Sequence, residues 1–171
     1  MKKFTIAILV NNQFGVLNRV TSMFRRRQFN ITSLTVSETE SEDFSRITVQ
    51  FEGDEVKKEQ LINQLFKLRD VCSVAELDTA DTVNRELLLI KVKNDPEARG
   101  DIRSASDAYE GKVVDYTKES IMIQMVGDSR KIDNCIDLMR DFEIMEICRT
   151  GIVSLQRGST TIRRVTNLYT T

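Results

Sequence analysis

Phe4-Thr5-Ile6-Ala7-Ile8-Leu9-Val10, then Asn11-Asn12-Gln13-Phe14-Gly15, then Val16-Leu17-Asn18-Arg19-Val20-Thr21-Ser22-Met23-Phe24 decide the fold. In the first run the larger apolar residues, at 4, 6, 8 and 10, share one face, which is the period of a strand. The second run is polar and turns. In the third, Val16, Leu17, Val20, Met23 and Phe24 form one helical stripe, and Arg25-Arg26-Arg27 crowd the last turn, where cations suit the helix dipole. Beyond it, Asn30 to Thr39 and Phe44 to Glu52 are β-rich and joined through the acidic segment Glu40-Ser41-Glu42-Asp43, a hairpin pattern. Gly53-Asp54 opens a second helix bearing Val56, Leu61, Ile62, Leu65 and Phe66, and Val71 to Asp78 returns as a strand. The order is βαββαβ.

After a polar linker, Thr79 to Asn84, the pattern repeats at similar length. Leu87 to Val92 is an apolar strand, Pro96 suits the first turn of a helix carrying Ile102, Ala105 and Tyr109, and Gly111 stops it. Lys112 to Tyr116 and Ile121 to Val126 pair, Ser129 caps a helix with Ile132, Cys135, Ile136 and Met139, and Glu143 to Arg149 closes the unit. The chain is therefore α+β: two tandem ferredoxin-like βαββαβ units, over residues 1–79 and 80–158. Residues 159–171 lack an apolar period and are expected to be a flexible tail or a docking arm.

Composition narrows function. With 171 residues and 40% apolar content the chain can build a core, and 25 Lys plus Arg against 26 Asp plus Glu leave no general field for nucleic acid or lipid. Histidine and tryptophan are absent, which removes His-based acid/base chemistry and His-ligated metals. Cys72, Cys135 and Cys148 are odd in number and lack C-x-x-C spacing, so no disulfide framework or zinc knuckle is expected and a reduced, cytoplasmic setting fits. The N-terminal apolar run is expected to be a strand rather than a signal peptide, since no A-x-A-like site comes after it. No segment approaches the ~18 apolar residues of a membrane span.

Neither a Gly-rich phosphate cradle, an activated nucleophile nor a carboxylate cluster with ligand spacing is present, so no catalytic or metal site is expected. An RNA-binding module shares the element order. Its aromatic motif is not matched by Phe44-Ser45-Arg46-Ile47-Thr48-Val49-Gln50-Phe51, however, and nucleic acid is not an expected partner. The informative segment is the turn from Asn12 to Leu17. Free N–H groups at a helix start seat a carboxylate, and Gly15 lets a ligand approach the backbone. Asn30, expected to adjoin that turn, can accept from a ligand ammonium, and the two seats together describe an amino acid. The plain alternative is that Asn12 and Gly15 shape a β–α turn and Asn30 ends the helix.

The stretch Gly15-Val16-Leu17-Asn18-Arg19-Val20 with Met23-Phe24, Arg27 and Phe29-Asn30-Ile31-Thr32-Ser33-Leu34-Thr35-Val36 resembles the small regulatory subunits of acetolactate synthase, whose N-terminal unit is an ACT domain. The likeness continues through Ser45-Arg46-Ile47-Thr48, Gln64 to Val71, Arg85 to Val92, Glu146 to Gly151 and Leu155 to Gly158. It implies a non-catalytic subunit that binds and activates the large catalytic subunit and confers feedback inhibition by a branched-chain amino acid, usually valine. Thiamine diphosphate, Mg and FAD would belong to that partner, with no cofactor in this chain. The resemblance implies a homo-oligomer, at least a dimer, with the effector between ACT domains of two subunits. The matching positions are Asn12, Gly15, Val16, Leu17, Asn30 and Ile31. A stand-alone amino-acid-sensing regulator would use the same pocket without a synthase.

Overall fold

The computed structural model describes residues 2–78 and 80–164, and the chain folds as two compact units. One takes in residues up to 83 together with the segment from 152, and the other is residues 84–151. The first unit runs β1 (Lys2–Asn11), α1 (Val16–Arg26), β2 (Ile31–Glu38), β3 (Phe44–Gly53), α2 (Glu55–Leu65) and β4 (Val71–Glu76), the expected βαββαβ. Its sheet order is β2-β3-β1-β4, antiparallel throughout.

The helix side of this sheet buries Phe4, Ile6, Ile8 and Val10 of β1 against Val20 and Phe24 of α1 and Leu61 and Leu65 of α2. At its centre Phe51 meets Phe4, Phe24 and Phe29 at ring centroid distances of 5.8, 5.6 and 5.1 Å, the last two edge to face. Such contacts add about 0.5–1.5 kcal/mol each beyond area burial. Asp54 caps α2 by accepting from the Lys57 N–H at 2.8 Å. Lys58 of α2 is buried, with its ammonium 2.6 Å from Glu55 and 2.7 Å from Glu76 of β4.

The opposite sheet face is also covered. Ala7 and Leu9, the alternate residues of β1, cluster with Ala75, Leu77 and Ile162. The covering segment is tied down at three places: the Ile152 N–H donates to Ser33 Oγ at 3.0 Å, Arg46 donates to the Ser154 carbonyl at 2.7 Å, and Arg163 pairs with Glu40 at 3.0 Å. The boundary expected at 158 therefore moves to 151, and residues 159–164, expected to be a tail, belong to the first unit. The reason is burial: an apolar face on β1 and β4 needs a cover, and Ile162 supplies part of it. The rest of the expected tail, 165–171, lies outside the described residues.

The second unit comprises β5 (Thr82–Lys93), α3 (Arg99–Ala108), β6 (Lys112–Tyr116), β7 (Ser120–Gly127), α4 (Ser129–Met139) and β8 (Ile144–Arg149), in sheet order β6-β7-β5-β8. A short strand that the pattern does not predict, β9 (Val153–Gln156), lies in the returning segment of the first unit. Leu88, Ile90 and Val92 pack with Ile102, Ile121, Ile123, Met125, Ile132 and Met139.

Hydrogen bonds correct several local expectations. The expected linker 79–84 is shortened because β5 begins at Thr82. Asp128, not Ser129, caps α4 by accepting from the Lys131 N–H at 2.8 Å. Ser129 instead donates to buried Glu86, which also binds Arg149 at 2.6 Å. Pro96 precedes α3 rather than entering it. The left-handed residue after α3 is Glu110, with φ 58°, while Gly111 is needed because a Cβ there would fall 2.5 Å from Ser106 Oγ.

Candidate functional site

The turn between β1 and α1 is held by Asn12. Its backbone N–H donates to Asp43 O at 2.7 Å, and its side-chain N–H groups reach Glu42 O at 2.9 Å and Glu38 Oε1 at 3.1 Å. Its Oδ1 accepts from Ser45 Oγ at 3.0 Å. Asn12 is thus committed on both sides to the β2–β3 hairpin, in agreement with its turn-shaping alternative.

Gly15 is different. It sits at φ +80°, a left-handed conformation that side-chain-bearing residues avoid, and nothing lies within 4 Å of where a Cβ would stand. No side chain caps α1 and no acidic residue occupies its first turn. The start of the helix is therefore a bare positive end beside open space, able to receive a carboxylate. Leu17 is 41% exposed beside it, whereas Val16 is buried in the core and serves packing.

Asn30 and Ile31 lie elsewhere. Ile31 is in register with Phe51, which pairs with Phe4, while Asn11 pairs with Phe44. Seven residues of β1 separate those two ends, about 23 Å at the rise of a strand. Within one chain, then, Asn30 does not adjoin the Gly15 turn, and the residues expected to seat an ammonium and a carboxylate lie at opposite ends of the sheet. Asn30 does not cap α1 either, since the left-handed residue after that helix is Gln28, φ 58°. Asn30 is exposed, and Ile31 is half-buried against the core.

The edge strand β2 adds residues that the sequence reading does not place in the site. Leu34 and Val36 pair with Val49 and Ile47, both in the helix-side core, yet are themselves 37% and 40% exposed. They put an aliphatic strip on the helix side of an edge that has no further strand beyond it among the described residues. Their alternation with Ser33 and Thr35 is the signal that could have found them. A cavity of about 590 Å³ behind the turn, lined by Asn11, Gln13, Arg19, Lys67, Leu68, Arg69 and Asp70, offers mainly polar and charged walls, with Arg19 and Asp70 paired at 2.8 Å.

The outer sheet face, which an RNA-binding module of this order would use, is packed in the first unit by the segment ending in Ile162. Among the described residues no group of three or more His, Cys, Asp or Glu could hold a metal ion. None of the helices described is long and apolar enough to cross a membrane. Arg46, half-buried and bonded to a carbonyl, has its pKa lowered by burial.

Residues 85–158 match the family described as the small subunit of acetolactate synthase, and residues 6–73 match the AHAS small subunit-like ACT domain. A probable acetolactate synthase small subunit of Archaeoglobus fulgidus is 47% identical over 157 residues, covering 92% of this chain and 98% of the relative. The acetolactate synthase small subunit of Bacillus subtilis is 42% identical over 159 residues, 92% of each chain. In three dimensions the crystal structure of the acetolactate synthase small subunit from Thermotoga maritima superposes with a TM-score of 0.87 at 34% identity, over 94% of this chain and all of that one.

Proposed function

Because this chain belongs to the acetolactate synthase small-subunit family, we propose that it exerts its regulatory role by binding a branched-chain amino acid, valine in the first place, across a dimer of ACT units. The bare helix start at Gly15 carries this reading, since it seats a carboxylate that the chain itself does not fill. The separation of Asn30 from Gly15 supports sharing of the site. If two β2 edges pair antiparallel about a two-fold axis, the beginning of one β2 meets the end of the other. Glu38, at that end, is bonded to Asn12. Asn30 of one protomer then comes beside Asn12 and Gly15 of the partner subunit, and the two seats separated within one chain form one amino-acid site.

Leu34 and Val36 of both protomers would line this junction, with Leu17 near it, and so provide the aliphatic contact that selects a branched side chain. Asn12 in this reading positions the hairpin and the turn together, Val16 and Ile31 support them from the core, and Gly15 and Asn30 meet the ligand. The occupied site passes its signal to the large catalytic subunit, which holds thiamine diphosphate, Mg and FAD and performs the chemistry. This chain contributes activation and feedback control, in the cytoplasm.

Reconstitution with the catalytic subunit tests the reading. Activity should rise on adding this chain and fall saturably with valine, and valine binding should weaken on dilution in step with dimer dissociation measured by sedimentation. A monomer that binds valine with unchanged affinity at every concentration would remove the shared site.

A further inference from the structure

The two units carry the same turn after their first helix, and in the second a cavity lies beside it. Gln28 and Glu110 both stand at φ 58°. The next residue is Phe29 in the first unit, whose ring fills the space beside Phe24 and Phe51, and Gly111 in the second. The one after that is Asn30 in one copy and Lys112 in the other. At Gly111 the place of a side chain is taken by Ser106 and Ile123, and a cavity of about 680 Å³ lies alongside, between α3 and the strands β6 and β7.

Its walls point to an occupant. Arg99, Arg103 and Lys112 line it, against a single lining carboxylate, Asp107. These three cations converge in a stretch, residues 80–150, that carries 11 basic and 15 acidic groups, so their grouping runs against the local charge. The Arg99 guanidinium is held by Asn94, with Nε donating to Oδ1 at 2.6 Å. The salt bridges formed among the described residues include none from Arg99, Arg103 or Lys112. Val113 and Tyr116, 43% and 57% exposed, add an apolar wall. Against Gly111 lies Ser106, 1% exposed, whose hydroxyl has no hydrogen-bond partner in the described structure.

We propose that this cavity of the second unit is a ligand site for a small organic anion, with a phosphate or carboxylate head on the three cations and an apolar body against Val113 and Tyr116. Its volume lies within the ~300–1,000 Å³ of small-molecule sites. It is separate from the amino-acid site, and its recognition is reversed, since Lys112 replaces the residue expected to accept from an ammonium.

The test is an NMR titration of the isotope-labelled full-length chain with hexyl phosphate and with hexanoate, which separate the two head groups, and with inorganic phosphate and hexylammonium. Saturable shifts confined to residues 99–123 are expected from at least one amphipathic anion, about tenfold tighter than inorganic phosphate, and none from hexylammonium. R103Q/K112Q, both at exposed positions, should weaken binding about tenfold or more while leaving the remaining spectrum in place. Y116S should weaken the amphipathic anions and spare inorganic phosphate. The proposal is overturned if neither anion gives saturable shifts at millimolar concentration, if the shifts spread over other basic surfaces such as Arg25 to Arg27, or if the double variant binds as before.

Discussion

In both units an asparagine comes directly after the first strand, and the two asparagines do the same work. Asn12 and Asn94 each donate a backbone N–H to the next β-hairpin, to Asp43 O at 2.7 Å and Glu119 O at 2.9 Å, and each gives a side-chain N–H to a hairpin carbonyl, of Glu42 and of Thr117. The two turns diverge beyond that point. After Asn12 the chain reaches Gly15 and α1, which like α3 has no side-chain cap but, unlike α3, has no acidic residue in its first turn. After Asn94 come Asp95, Pro96 and Glu97, with the Asp95 carboxylate accepting from the Glu97 N–H at 3.0 Å just ahead of α3. An internal repeat thus separates what recurs and holds the fold from what differs between the copies. The first turn of α1 is left without a negative charge, whereas the second unit has Asp95 just ahead of α3 and Asp101 in the first turn of that helix.

The largest effect should come from making the first unit resemble the second. Gly15→Asp sets a carboxylate at the bare helix start and a Cβ at a left-handed φ. Inhibition by valine should be abolished while activation of the catalytic subunit persists, as assayed on the reconstituted pair. Retained inhibition would move the effector elsewhere, and lost activation would make the turn a docking element.

Next in size is Asn30→Ala, which removes an acceptor for the ligand ammonium worth about 1.5–3 kcal/mol, so valine affinity measured by calorimetry should fall about tenfold to a hundredfold. The fold should be unaffected, since Asn30 is exposed. Unchanged affinity would break the antiparallel β2 dimer as the frame of the site.

Asn12→Ala and Asn94→Ala sharpen the comparison directly. Each leaves hairpin carbonyls unsatisfied and should lower stability by about 1–3 kcal/mol in chemical denaturation. If only Asn94→Ala proved destabilising while Asn12→Ala removed valine binding, Asn12 would be a ligand contact rather than a scaffold residue.

The smallest effect concerns acid. Hydrogen bonds from Lys58 and Lys2 hold Glu55 of the first unit below the ordinary carboxylate value, and a hydrogen bond from Lys131 does the same for Glu110 of the second. A carboxyl depressed on folding contributes stability above its unfolded pKa and loses it as pH falls through the folded value. Glu55→Gln and Glu110→Gln should therefore flatten the loss of stability just below pH ~4.5 by small and similar amounts. A large difference between the two would show that one pair holds more of its unit than its exposure suggests.

Local periodicity is enough for the strands and helices of both repeats, because the alternation of the larger apolar residues in β1 and the apolar stripe of α1 lie within a dozen residues. Two things are not legible. Antiparallel register sends the start of β2 to the far end of the sheet from the Gly15 turn, and no spacing between Gly15 and Asn30 records that. The cover over Ala7 and Leu9 comes from Ile162, more than 150 positions away in sequence, and its three hydrogen-bonded or ionic ties, made by Ile152, Arg46 and Arg163, also join residues far apart in the chain. A solitary isoleucine in a polar stretch has no period to betray it.

That return of the chain to β1 has a consequence for how the protein is made. A ribosome completes β1 early, but the outer face of β1 and β4 must wait for Ile162, after the whole of residues 84–151 has been translated. During that interval the second unit can close on contacts that are all its own, whereas the first holds its helix-side core with one face still wet. The unit that begins synthesis first is the last to be finished. For the same reason, cutting the chain after residue 79 would release a first unit without the cover of its outer face.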